Sequence, residues 1–323
     1  MKTLAFIGSD KNAGKTTALN YVYRQHQRTA NVLCLLSIGI NGESVDSYEG
    51  SEKPQITIFP DSFFVTAADH LASHPGKYAT CGIFGRPSFK KNWIFAKALT
   101  SFNIVLEGPN EASEILLIKK ELHQYNHKMI ILLDGSIDRQ FIANPKITDG
   151  IYFSLLISER TTQLKKAQNL LDPLTFLACP ENTKEIIAKE IGRHNGSLKS
   201  LLIDGQNILH AGKLAPFLDE ELRSMALENA SEKLFLYLDG AFTKTLFSYL
   251  KATQINVVID NFTQYQMIST SEQQESSLRF YLYNPVNVLA IFLNQESKMI
   301  NLKIPPNIPV YNLFQEDCNE VRI

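Results

Sequence analysis

At 323 residues the chain is too long for one small domain, and its 44% hydrophobic content is enough to build two cores. Its 32 lysines and arginines nearly balance 33 aspartates and glutamates, which argues against a nucleic-acid or membrane surface. The expected partner is a small molecule or another protein, with a homodimer among the options. Four scattered cysteines, Cys34, Cys81, Cys179 and Cys318, form no C-x-x-C pair and read as reduced thiols of a cytoplasmic protein. No secretory-leader pattern precedes the first apolar run, and no run approaches the roughly 18 residues of a membrane helix.

The chain opens with a short apolar run, Leu4 to Ile7, then a polar loop ending Gly14-Lys15-Thr16-Thr17, then apolar residues Leu19, Val22 and Tyr23 at helical spacing. Strand, loop and helix in that order make a phosphate-binding P-loop, because the first helical turn aims its N–H groups and the positive end of the helix dipole into the loop. ATP with Mg²⁺ is the expected ligand, cradled by Gly8, Asp10, Lys11, Asn12, Ala13, Gly14, Lys15, Thr16 and Thr17. Gly14 lets backbone approach phosphate without a Cβ, and Lys15 would reach the β- and γ-phosphates. The Thr16 hydroxyl is placed for the metal, and that of Thr17 for the α-phosphate. The bland alternative is a chance Gly-Lys-Thr in a βα turn. Counting back, the first glycine of the usual G-x-x-x-x-G-K-[ST] pattern falls on Ser9, with Gly8 one position earlier. This displaced pattern resembles the dethiobiotin synthetases, whose loops also read Gly-x-Asp before Gly-Lys-Thr. The matching residues are Gly8, Asp10, Gly14, Lys15 and Thr16, and Lys11 stands where other relatives carry an extra loop lysine.

Asn31 to Ser37 reads as a strand buried on both faces of a parallel sheet. Ligands bind beyond the carboxyl ends of such strands, so Asn41, Glu43 and Asp46 are candidates to face the γ-phosphate, the metal or a second substrate, against the alternative of a polar turn. From Ser47 to Leu106 the pattern loosens into an insertion beside the sheet, with strands at Gln55–Phe59 and Ile94–Leu99 and a short helix at Ala67–Ser73. Within it, Arg86 to Lys91 is basic and carries an aromatic, as a lid over phosphates, a partner-binding edge or simply a solvated loop.

Two apolar runs then end in acids: Asn103 to Glu107, and Lys128 onward to Asp134. An acid at the end of a strand near the phosphate loop is what a P-loop enzyme uses to hold the Mg²⁺ shell, and Lys15, Asp134 and Glu107 are the candidate catalytic residues. For the metal they are Thr16, Asp134 and Glu107; Asp134 ends the longer run, while Glu107-Gly108 is similar to the Glu-Gly ending the corresponding strand of dethiobiotin synthetases. Capping of the following helix would also explain either acid. Between them, Glu111 to Tyr125 is an amphipathic helix with Ile115, Ile118, Leu122 and Tyr125 on one stripe. The helically spaced pairs His70/His74 and His123/His127 read mainly as helix-end histidines, with metal chelation as the minor alternative. No Asn-Lys-x-Asp motif points to guanine.

Gly150 to Ile157 is another strand and Thr161 to Leu171 a helix. Strands ending in Asp204, Asp239 and Asp260, with Val288–Leu293 and Pro309–Leu313, complete a second parallel α/β unit. Those three aspartates read chiefly as turn and cap residues, and less favourably as a second ligand crevice. The expected fold is therefore α/β, a P-loop domain of mostly parallel sheet flanked by helices over residues 1–180 and a C-terminal α/β domain over 181–323.

Across most of its length the order of segments resembles the ATP-binding subunit of the factors that reactivate adenosylcobalamin-dependent lysine or ornithine aminomutases. The residues that carry this are Lys11 to Thr17, Ser37-Ile38-Gly39 with Asn41-Gly42-Glu43, Lys53-Pro54, Asp134 to Arg139, Pro145 with Thr148-Asp149, and Asn284 to Ala290. In that family an aspartate stands at the position of Asn41. The resemblance implies an ATPase that works with a second reactivase subunit to free a dead aminomutase of damaged cobalamin. Two other readings remain: an ATP-dependent ligase or small-molecule kinase of dethiobiotin synthetase type, and a module that holds ATP without turning it over.

Overall fold

The computed structural model describes residues 1–29, 31–41, 55–85, 91–135, 144–158, 160–265, 276–294 and 302–313. The chain divides into two compact units, one of residues 1–164, 287–300 and 307–323 and one of residues 165–286 and 301–306.

The first unit begins with β1 (Lys2–Gly8), α1 (Lys15–Gln27), β2 (Leu33–Ser37), β3 (Gly39–Asn41), β4 (Ile56–Ile58) and β5 (Phe63–Ala67). It continues with β6 (Tyr78–Phe84), β7 (Trp93–Ala98), β8 (Phe102–Ile104), β9 (Leu106–Gly108), α2 (Ala112–Tyr125), β10 (Ile130–Asp134) and β11 (Gly150–Leu156). The helix α3 (Thr161–Leu171) leads to the second unit: β12 (Leu177–Ala178), α4 (Glu181–Arg193), β13 (Ser200–Asp204), β14 (Asn207–Gly212), α5 (Glu220–Glu228), β15 (Leu234–Leu238), α6 (Lys244–Leu250), β16 (Asn256–Ile259) and β17 (Arg279–Leu282). The strands β18 (Val288–Asn294) and β19 (Val310–Asn312) return to the first unit.

Among the described residues the main sheet runs β19-β18-β11-β1-β10-β2-β5-β7-β6, parallel from β19 to β5 and antiparallel at β7 and β6. Its central strands are apolar without alternation because both faces are covered. On one face Leu4 and Phe6 join Leu35, Leu132 and Phe292 beneath Ala18, Leu19, Val22 and Tyr23 of α1. Each such Leu or Val contributes about 1.5–3 kcal/mol on burial. On the other face Tyr125, at the end of α2, stacks edge-on against Phe63 and Phe95. Ile115, Ile118 and Leu122 of the expected stripe are fully buried, whereas Tyr125 is half-exposed at its margin.

Several expectations change. The segment read as an insertion contributes two further strands, β5 and β6, and with β7 it extends the main sheet beyond β2. The short helix there is a single 3₁₀ turn, Ala68–Leu71. The run Asn103 to Glu107 is two short strands outside the main sheet: β8 pairs with β4, and β9 with β3. The break falls at Val105, where the Thr66 hydroxyl donates to the Val105 carbonyl (3.1 Å) and accepts from the Glu107 N–H (3.0 Å). Val288–Leu293 and Pro309–Leu313 do not complete the second unit; β18 pairs with β11, and β19 with β18. The domain boundary read at residue 180 compares with a change of unit after Leu164.

The second unit holds, among its described residues, a sheet of order β12-β17-β16-β15-β13-β14. Its first four strands are parallel, β13 is antiparallel to both its neighbours, and β13 turns back into β14 through Gly205, at φ 61°. The sheet is mixed where a parallel one was expected. Among the described residues no helix is long and apolar enough to cross a membrane, and Cys34, Cys81 and Cys179 are free thiols.

The tightest backbone approach near the carboxyl end of β2 is at Gly108, where any Cβ would overlap the Ser37 carbonyl oxygen. Because the obstacle is backbone it cannot swing aside. Gly108→Ala is expected to cost ~3 kcal/mol or more in urea-unfolding free energy.

Candidate functional site

The sequence-predicted loop spans the end of β1 and the start of α1. Gly8 is the last residue of β1, and a Cβ there would stand 2.9 Å from Cγ of Lys15, so the glycine makes room for the lysine stem. Ser9, at the position where the usual pattern has its first glycine, is bound on both sides to β11: its N–H donates to the Ser154 carbonyl (2.9 Å) and its hydroxyl accepts the Leu156 N–H (2.9 Å). A serine therefore does here what a glycine cannot.

The loop then tightens on itself. The Asp10 carboxylate accepts the Lys11 N–H at 2.9 Å, and the Asp10 carbonyl accepts the Ala13 N–H at 3.4 Å. Asn12 and Gly14 both take left-handed backbone, φ 62° and 84°. Asparagine tolerates that region better than most residues, and glycine does so at no cost. Where a Gly14 Cβ would lie, the tip of the Leu313 side chain is packed and would have to shift, while the φ of 84° itself favours glycine. Asn294, at the end of β18, donates its amide to the Asn12 carbonyl at 2.7 Å. Ala13 is fully buried, while Lys11 and Asn12 are exposed.

Gly14 caps α1 without any side-chain hydrogen bond. Residues 15–17 precede the first i→i−4 bond, Ala18 N–H to Gly14 carbonyl (2.9 Å), so their N–H groups lie in the first turn of the helix, ahead of its ladder. Lys15, Thr16 and Thr17 are all half-buried.

β10 lies beside β1 with Asp134 opposite Phe6. That register brings Thr16 and Asp134 together: the Thr16 hydroxyl donates to Asp134 Oδ2 at 3.4 Å, a long hydrogen bond. Asp134 is fully buried, and its other oxygen, Oδ1, has no hydrogen-bond partner among the described residues. Burial pushes its pKa up to about 6, against the opposing pull of the Lys15 charge and the Thr16 hydroxyl. The Ser154 hydroxyl on β11, on the other side of β1, is also buried and unpartnered among the described residues.

Glu107 lies elsewhere. It sits on β9 opposite Ile40, with Oε1 2.6 Å from the Lys91 ammonium and Oε2 2.9 Å from His70 Nε2. Burial raises its pKa, but the hydrogen bonds and charges of Lys91 and His70 outweigh that and leave it below the ordinary carboxylate value. Thus His70 Nε2 serves Glu107, and His74 Nδ1 lies 3.3 Å from the His70 carbonyl oxygen. Asn41 turns its amide back onto Ser37 Oγ (2.6 Å) and the Ile38 carbonyl (3.3 Å). Of the other candidates, Gly42, Glu43, Asp46, Lys53, Pro54, Arg86 to Lys90 and Ser136 to Arg139 lie outside the described residues.

Sequence reasoning missed Ser9, Ser154, Asn294, Leu313 and the two bases that hold Glu107. A small hydroxyl residue in the first-glycine position was the available signal for Ser9. The histidine pair and the basic segment marked His70 and Lys91 without linking them to Glu107.

No family model matches the chain, and no curated protein does. Among solved structures, that of pNOB8 ParA aligns with 11% sequence identity over 56% of this chain and 61% of that one, at a TM-score of 0.28. The match thus spans less than two thirds of that protein's length.

Two predictions follow from the acids. The Asp134 carboxyl titrates near 3.8 when unfolded and near 6 when folded, so its contribution favours the fold at low pH and is lost as pH rises through about 6. Asp134→Asn is therefore expected to gain up to ~3 kcal/mol over the wild type at pH 8 in urea unfolding, and to lose that advantage near pH 4. Glu107→Gln removes the anion between Lys91 and His70 and is expected to lower the thermal midpoint by roughly 2–4 °C while leaving nucleotide affinity unchanged within about twofold.

Proposed function

We propose that this chain is a P-loop ATPase that binds ATP with Mg²⁺ and couples hydrolysis to a change of shape. The observation that carries the reading is the approach of the Thr16 hydroxyl to a fully buried Asp134 at the amino end of α1, with one carboxylate oxygen still unpartnered among the described residues. A buried acid held by a single hydroxyl fits a hard cation, since oxygen ligands are what Mg²⁺ takes. Thr16 and Asp134 are the residues that would hold it, directly or through water, and it would supply charge neutralisation at the phosphates.

The remaining work falls to this chain's own groups. The N–H groups of Lys15, Thr16 and Thr17, with the helix dipole behind them, favour a polyphosphate. The Lys15 ammonium would balance charge as the terminal phosphoryl departs, carried on a stem for which Gly8 leaves room. Glu107 is better explained as the anion of the Lys91/His70 cluster than as a metal ligand, because both its oxygens are already engaged. Loss of the γ-phosphate would release contacts around this loop, which is how a nucleotide changes affinity for a partner.

For the partner we propose an inactivated cobalamin-dependent aminomutase acting with a second reactivase subunit. Support for that finer reading is the sequence resemblance running from Lys11 to Ala290.

The test is phosphate release from ATP by the purified chain, alone and with an inactivated aminomutase and its second reactivase subunit. Lys15→Ala is expected to reduce release to background, and the mutase to stimulate the wild type several-fold. Release by Lys15→Ala equal to the wild type would sink the ATPase proposal. Wild-type release indifferent to the mutase would overturn only the partner and redirect the search to small acceptors.

A further inference from the structure

The second unit carries a group of side chains that the phosphate loop does not explain. Side chains two apart on a strand share a face, so the pairing of β15 with β16 and β17 can be read for what lies together. Tyr237 is opposite Val258, and Val258 opposite Tyr281. Two residues further on, each strand ends: Asp239 after β15, Asp260 after β16 and Tyr283 after β17. The antiparallel β13 enters at the same edge, so Lys199 stands beside Asp239, its ammonium 2.9 Å from Asp239 Oδ2. Asp204, by contrast, pairs opposite Leu234 at the far edge and plays no part. The same sheet face is roofed by α4 through Ile186, Ile187 and Ile191, and Lys184 in its first turn lies 5.7 Å over the Tyr283 ring.

The floor of this edge is Tyr237. It is 2% exposed, yet among the described residues no hydrogen bond reaches its hydroxyl. Its ring meets that of Tyr283 at 5.7 Å and 62°. Burial, then the charges of Asp260 and Asp239, push its pKa up, so the hydroxyl keeps its proton beside two carboxylates.

Asp260 is already aimed. Asn284 donates to its Oδ1 at 2.7 Å and Asn261 to its Oδ2 at 2.9 Å. A carboxylate accepts about four hydrogen bonds, so each oxygen retains acceptor capacity. Asp239 is 42% exposed, as is its partner Lys199, and an ion pair so open to water is weak enough to exchange. The edge therefore offers fixed carboxylates, a hydroxyl lone pair and two aromatic walls. Among the described residues no set of three His, Cys, Asp or Glu side chains is arranged for a metal ion.

We propose that the carboxyl edge of this sheet binds the ammonium group of a small amine, received by Asp260, Asp239 and the Tyr237 hydroxyl. The tyrosine rings favour a cation, and ligands of α/β sheets collect at this end of the strands. The inference is independent of the nucleotide reading.

Calorimetric titration of the full chain with n-butylammonium, butyrate and n-butanol tests it. Saturable binding is expected for n-butylammonium alone, about tenfold weaker in Asp260→Asn and several-fold weaker in Tyr237→Phe. Should either of these substitutions prevent folding, Asp239→Asn at the exposed rim is expected to weaken binding at least threefold. Absence of saturable n-butylammonium binding, equal binding of n-butanol, or affinity unchanged in the folded variants would overturn the proposal.

Discussion

A carboxylate cut off from water must be held by something, and Asp134 is held, among the described residues, by one long hydrogen bond from Thr16. The arrangement is costly: burial shifts the acid towards its neutral form, and the Lys15 charge offsets this only in part. Much of the first unit serves to keep that acid in place. β1 and β10 run parallel in register so that the two strand ends finish side by side, and α1 is fastened over them by Leu19, Val22 and Tyr23. The Ile38 N–H donates to the Asp134 carbonyl at 2.9 Å, and the Gly135 N–H to that of Phe6 at 3.3 Å, so the backbone beyond the acid is fixed too.

The loop opposite is shaped from a distance in sequence. Ser9 is tied to β11, Asn12 to Asn294, and Gly14 lies under Leu313. The last two come from the returning segments of the first unit, about 280 and 300 residues along the chain from the loop they hold. Two left-handed residues in a row of three, Asn12 and Gly14, turn the strand into the helix, and these outside contacts pack against that turn.

How much of this the sequence displays depends on how local the cause is. The β1–loop–α1 unit is legible because strand, glycine, lysine and threonine act within one short stretch. Asp134 is legible because an apolar run ending in acid is a local pattern. Glu107 has the same pattern and a different fate, since its environment comes from His70 and Lys91, which no spacing rule connects to it. Partner choice among strands is the least visible: β18 reads like any buried parallel strand, and nothing in Val288–Asn294 says that it pairs with β11. The hairpin through Gly205 is hidden for the opposite reason, because a strand ending in Asp-Gly fits either a helix or a turn.

The most direct measurement is calorimetric titration of ATP into the full chain, in excess Mg²⁺ and again in excess EDTA. If Thr16 and Asp134 hold the metal at the phosphates, binding tightens at least tenfold with Mg²⁺, and Thr16→Val abolishes that difference. Equal affinity with and without Mg²⁺, or a difference that survives Thr16→Val in a folded protein, would contradict the account.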